Sequence, residues 1–126
     1  MLESSLLTDA FAGRECLIDA TGCSPRRLAD VELLRKLLED VVADLGLHAV
    51  GPGMWHQFPG VGGVTGMNLL SESHLTVHTW PESGAAAFNL FCCRPRPDWP
   101  WSEQLRERLQ AKHVAIHTIE RGRSGP

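Results

Sequence analysis

The hydrophobic residues of this chain change their spacing once, and that change limits the folds open to it. Leu28, Val31, Leu34, Leu38, Val41 and Leu45 recur at three- and four-residue steps, with Leu33, Leu37 and Val42 widening the stripe. That is the period of a helix with one buried face. Ser24-Pro25 offers an N-cap followed by proline at the first helical position, and Gly46 is placed to stop the helix, so the spacing predicts one continuous helix between them. From His48 to Cys93 the helical period is gone. Gly51, Gly53, Gly60, Gly62, Gly63 and Gly66 punctuate stretches of β type, giving strands near 48–57 and 62–71 joined around Pro59-Gly60. Two more are expected near 73–79 and 85–93, separated by the turn Pro81-Glu82-Ser83-Gly84.

The flanks complete the pattern. Glu15 to Ala20 reads as a first short strand, Trp101 to Lys112 as a second helix with Leu105 and Leu109 inward, and His113 to Ile119 as a last alternating strand. The tail from Arg121 to Pro126 is expected to fray. Gly60-Val61-Gly62-Gly63 lacks both the Lys-Ser/Thr pair and the following helix of a phosphate loop, so it reads as a turn. The order β-α-β-β-β-β-α-β implies an α+β fold, a two-layer α/β sandwich whose mostly antiparallel sheet carries two helices on one face. In the strand at 73–79, Leu75 and Val77 would meet the helices, while His74, Thr76, His78 and Trp80 point the other way. That second face also carries Met67 or Leu69, expected two strands over. An uncovered apolar face marks an interface, so two sheets are expected to face each other in a homodimer.

Composition narrows the function. A chain of 126 residues is one domain's worth, residues 1–126, with one core and no room for separate cofactor and substrate domains. A net charge of −3, with bases scattered among acids, leaves no basic face for nucleic acid and no polybasic membrane anchor, so the expected partner is a small molecule. No apolar run is long enough to span a bilayer, and Met1-Leu2-Glu3-Ser4 lacks the basic start of a signal peptide; the chain reads as cytoplasmic. Cys16, Cys23, Cys92 and Cys93 have no C-x-x-C spacing, so no metal site is expected, and Cys16 and Cys92 read as small buried hydrophobes.

The chemistry concentrates in Ser71-Glu72-Ser73-His74-Leu75-Thr76-Val77-His78-Thr79-Trp80-Pro81-Glu82, followed by Cys92-Cys93. A serine, two histidines, carboxylates and a thiol surround one short strand. The segment resembles the self-processing site of the prokaryotic S-adenosylmethionine decarboxylases. The match runs through Glu72-Ser73 and His78-Thr79-Trp80-Pro81-Glu82 to Cys93, and outward to Leu17-Ile18-Asp19-Ala20-Thr21-Gly22-Cys23, the leucine-rich helix and His56-Gln57-Phe58, covering roughly residues 13–122. Removing a carboxylate from an amino acid leaves a carbanion that no ordinary side chain can accept, so an electron sink is needed. The resemblance implies a self-generated pyruvoyl group. Ser73 would attack the preceding carbonyl, and the chain would split into residues 1–72 (beta chain) and 73–126 (alpha chain).

The resemblance also assigns roles. Ser73 becomes the pyruvoyl group that forms a Schiff base with substrate, His78 moves protons during processing, and Cys93 protonates the product. Glu72 precedes the scissile bond, and Thr65 stands where the family usually has a processing serine. Phe58 and Trp80 would sandwich adenine, and Glu82 would accept hydrogen bonds from ribose. The implied reaction converts S-adenosylmethionine to S-adenosylmethioninamine for spermidine, a polyamine. Departures bear on the substrate: Asn89-Leu90-Phe91-Cys92-Cys93-Arg94 replaces the family's usual Asp-Val-Phe-Thr-Cys-Gly, and the loop after Phe58 is one residue longer. A pyruvoyl-dependent decarboxylase of ornithine or arginine, a degenerate regulatory subunit and an uncleaved nucleoside-binding module therefore stand as alternatives.

Overall fold

The computed structural model describes residues 12–122. β1 (Gly13–Thr21) leads through a cap at Ser24 into a single helical turn, α1 (Pro25–Leu28), and then α2 (Val31–Asp44). β2 (Met54–Gln57), β3 (Val64–Leu69), β4 (Ser73–Trp80) and β5 (Ala85–Cys92) follow, and α3 (Trp101–Leu109) and β6 (His113–Arg121) close the chain. The six strands form one antiparallel sheet in the order β2-β3-β4-β5-β1-β6.

The single helix expected between Ser24 and Gly46 is two, making three α-helices instead of two. The Asp30 side chain accepts from the Leu33 amide and caps α2, while Thr79 on β4 donates its hydroxyl to the Leu28 carbonyl at 2.7 Å. A sheet residue thus takes the carbonyl at the end of α1, and a side-chain cap starts α2 two residues later. The apolar stripe survives this break because Leu28, Leu34, Leu37, Leu38 and Val41 are all fully buried. Its far end behaves as expected: Gly46 adopts φ 66°, and the Leu47 amide returns to the Val42 carbonyl.

Strand edges differ from the expected ones in both directions. The stretch 48–53 is not a strand beyond an isolated bridge between Ala49 and Leu70, because Gly51 turns the chain at φ 75°. α3 stops at Leu109, where Gln110 takes a left-handed φ of 59°. β6 runs on to Arg121, paired with Gly13, so the expected fraying does not begin there; residues 123–126 lie outside the described residues. β3 neighbours β4 directly, one strand closer than expected.

The core lies between the helices and one face of the sheet. Ile18, Leu75, Val77, Phe88 and Leu90 meet Leu34, Leu38, Leu105 and Leu109 there, joined by Trp99 and Trp101. Leu75 and Val77 are fully buried, as their alternation requires. On the opposite face Met67 is 49% exposed, Leu69 58% and Trp80 43%. Among the described residues, no helix is long and apolar enough to cross a membrane.

Candidate active site

The strand register gathers most of the motif at one end of the open face. Thr65 on β3 is paired with His78 on β4, and Thr65 Oγ1 lies 3.1 Å from His78 Nδ1. Trp80 stands two residues on along the same face, its ring centroid 6.2 Å from that of His78. On the neighbouring strand β5, Ala87 is paired with His78 and Ala85 with Trp80.

A pocket of about 350 Å³ is lined by Phe58, Val61, Gly63, Thr65, His78, Thr79, Trp80 and Glu82. Five residues named from the sequence, Phe58, Thr65, His78, Trp80 and Glu82, thus share one concavity. The longer loop after Phe58 does not remove Phe58 from it. The ring sits edge-on to His56 at a centroid distance of 4.5 Å and remains 51% exposed. Local chemistry holds the walls in place. The Phe58 amide bonds to the Gly63 carbonyl, and Gln57 reaches across the loop to the carbonyls of Gly62 and Ala29. Thr79 accepts from the Val64 amide at 3.0 Å. A Cβ on Gly63 would meet the Thr79 carbonyl oxygen at 2.9 Å, so only glycine fits there. Glu82 rides on a turn of 3₁₀ helix, Pro81–Ser83, which Gly84 closes at φ 67°.

The other half of the motif lies at the far end of β4. Ser73 is the first residue of that strand, opposite Cys92 and half-buried, just after the reversal in which the Leu70 amide bonds to the Ser73 carbonyl. Five residues of strand separate Ser73 from His78, about 17 Å at the rise of an antiparallel strand. His78 of the same chain therefore does not reach the Glu72-Ser73 bond. Cys92 turns into the core and Cys93, one residue on, is exposed. Cys93 lines a separate groove with Gly13, Arg14, Arg94 and Arg96.

Electrostatics separate the four thiols. Burial pushes the thiols of Cys16, Cys23 and Cys92 above their usual range, which leaves them poor nucleophiles and acids; Cys92 is buried as expected, whereas Cys16 is only partly buried and packs against the edge of the core. Cys93 is the solvent-facing thiol. Beside it Arg94 Nε donates to Glu72 Oε1 at 2.8 Å, and this bond raises the guanidinium's pKa. The other departure, Asn89, donates from Nδ2 to Glu15 Oε2 at 2.8 Å. An aspartate at 89 would set two carboxylates against each other, so the amide and Glu15 belong together.

Sequence reasoning passed over Val61 and Gly63 in the pocket wall and the Arg94–Glu72 contact.

Comparison with known proteins places the chain in a family. The family model described as S-adenosylmethionine decarboxylase matches residues 14–122. An S-adenosylmethionine decarboxylase proenzyme of Thermotoga petrophila is 38% identical over 113 residues, 88% of this chain and 85% of the relative. One from Caldicellulosiruptor saccharolyticus is 36% identical over 111 residues, 87% and 88% of the two chains. The crystal structure of the adenosylmethionine decarboxylase from Aquifex aeolicus superposes with a TM-score of 0.74 at 29% identity, covering 90% of this chain and 92% of that one. With the family model spanning nearly every described residue, the chain belongs to the S-adenosylmethionine decarboxylase family.

Proposed function

We propose that this decarboxylase cleaves itself between Glu72 and Ser73, converts Ser73 to a pyruvoyl group, and uses it to decarboxylate S-adenosylmethionine for polyamine synthesis. The single observation that carries the substrate is the shared pocket of Phe58, Trp80 and Glu82, two aromatic rings and one carboxylate around a space of nucleoside size. Ornithine or arginine would need the carboxylate and leave the rings unused.

The residues fit a pyruvoyl group. Ser73 is half-buried at a strand start and follows an exposed Glu72, so the scissile bond is open to attack and the new terminus is open to substrate. The chain's two lysines, Lys36 on α2 and Lys112 before β6, are outside this pocket, which leaves no amine there to hold an aldehyde cofactor. A pyruvoyl group supplies the sink for the electrons left when carbon dioxide departs. In a site shared between two protomers, His78, in contact with the Thr65 hydroxyl, would carry protons during cleavage. Cys93 would return a proton to the α-carbon. Glu82 would accept hydrogen bonds from ribose hydroxyls, and Trp80 and Phe58 would hold the base. Four free cysteines suit the reducing cytoplasm as the place of action.

The separation of Ser73 from His78 favours a homodimer. Two sheets packed through their open faces about a two-fold axis across the strands would lay the Thr65–His78–Trp80 pocket of one protomer over the Ser73 end of its partner. Exposed Met67, Leu69 and Trp80 would be covered in the same step.

Intact mass of the purified protein tests the reading. Two fragments, 1–72 and 73–126, are expected, the second lacking a free amino terminus, with Ser73→Ala remaining one inactive chain. Wild-type protein that stays whole after prolonged incubation sinks the proposal. Carbon dioxide release from S-adenosylmethionine, ornithine and arginine at equal concentration then decides the substrate. Preferential turnover of either amino acid overturns the nucleoside assignment and leaves the cleavage chemistry standing.

A further inference from the structure

We propose that Arg94 is a positioning residue for self-processing that neutralises Glu72 while negative charge accumulates at the scissile bond. The inference rests on cleavage at Glu72-Ser73. Arg94 follows Cys93 at the exit of β5, and its Nε lies 2.8 Å from Glu72 Oε1, spanning the gap between that exit and the reversal before β4. The two side chains are 63% and 50% exposed, so the pair adds little to folding. Its value lies in where it sits.

When the Ser73 hydroxyl attacks the Glu72 carbonyl carbon, the carbonyl oxygen becomes an oxyanion. Collapse breaks the carbon–nitrogen bond, forms an ester and frees the Ser73 amine. Loss of the Ser73 α-proton then expels the Glu72 α-carboxylate, breaking the ester's alkyl carbon–oxygen bond. The resulting enamine tautomerises to an imine, and water hydrolyses it to the ketone with release of ammonia. In both the attack and the elimination, negative charge grows on the same residue whose side chain is already a carboxylate. Two like charges a few ångströms apart oppose each step. A guanidinium bonded to that side chain cancels one of them, and afterwards it faces a terminus carrying two carboxylates, which it can retain beside the new group.

The test compares wild type, Arg94→Gly, Glu72→Gln and the double variant, following cleavage of freshly synthesised full-length chain by intact mass. Arg94→Gly is expected to cleave about three- to fivefold more slowly than wild type at low salt, the range open to an exposed ion pair. High salt should shrink the difference by screening. Adding Glu72→Gln should restore most of the lost rate, because the amide removes the charge that Arg94 opposes. A merely structural contact would give no such rescue, and unchanged thermal midpoints would show all four chains equally folded. If wild type cleaves while Arg94→Gly matches it in rate and salt profile, or if Glu72→Gln fails to rescue, the role of Arg94 is overturned and cleavage stands. If wild type does not cleave, both readings fall together.

Discussion

His78 and Cys93 sit at opposite ends of the motif, and their separation makes their roles distinguishable. The Thr65 hydroxyl is within hydrogen-bond distance of His78 Nδ1, which fixes the orientation of the ring, as the proposed proton transfer would require. His78→Ala is expected to slow cleavage by about 100-fold, within the range general acid–base catalysis supplies. Thr65→Val should slow it less, and Thr65→Ser should cleave like wild type, all measured by fragment formation over time. Cys93→Ala should cleave normally but turn over substrate poorly and lose its ketone group with repeated use. Wild-type turnover by Cys93→Ala would remove the thiol from the mechanism. If Glu82 accepts from the ribose as proposed, Glu82→Gln would lose a charge-assisted hydrogen bond worth about 1.5–3 kcal/mol and should lower kcat/KM for S-adenosylmethionine by roughly 10- to 150-fold.

Among the elements, α2 and α3 are tied by one carboxylate. Asp40 accepts from Lys36 Nζ at 2.6 Å and from Arg108 at 2.8 Å, and the Arg108 guanidinium lies 5.7 Å from the centroid of the buried Trp99 ring. Hydrogen bonding to Lys36 first, and to Arg108 after it, holds the Asp40 carboxyl below its usual range. A depressed folded pKa means that the unfolded state binds more protons in that window. The stabilisation is therefore complete above the ordinary value of 3.8 and is lost as pH falls through the folded value. Asp40→Asn should cost about 1 kcal/mol, lower the thermal midpoint by about 4 °C at neutral pH, and converge with wild type in strong acid. Thermal melts across the acid range check it. A constant difference at every pH would mean packing, not charge, explains the loss.

For the whole molecule, the expected feature is a site shared between protomers. On the proposed reading, Ser73→Ala chains are expected to stay whole and His78→Ala chains to cleave slowly alone. If each site takes Ser73 from one protomer and His78 from its partner, coexpressing the two variants creates mixed dimers with one intact site. The His78→Ala chains in those dimers should then be cut at close to wild-type rate, and about half the wild-type activity per mixed dimer should appear, the half being a simple count of intact sites per two-fold dimer. Absence of complementation in dimers shown to be mixed would place processing within one chain. Sedimentation of the Met67→Glu variant gives a second check. A charge on the exposed face should shift the protein toward monomer, because that residue would otherwise be buried against its copy.

Spacing alone determined the element order, the antiparallel sheet and the face that each β4 residue takes, because a strand alternates with period two and Leu75 and Val77 could only point at the helices. It also determined the family, since Ser-Glu-Ser-His and His-Thr-Trp-Pro-Glu are runs of neighbours and need no fold to be read. It did not show the break at Ala29-Asp30, which depends on Thr79, a hydroxyl 51 residues away that takes the Leu28 carbonyl. Nor could spacing show that Phe58 and Trp80 line one pocket, or that Arg94 reaches Glu72. Each pair is 22 residues apart, and only the pairing of β3, β4 and β5 decides which side chains come together. Local periodicity carries each residue's facing direction, whereas the distance between distant residues belongs to the register. The register follows from burying one whole face at once, a property no single segment possesses.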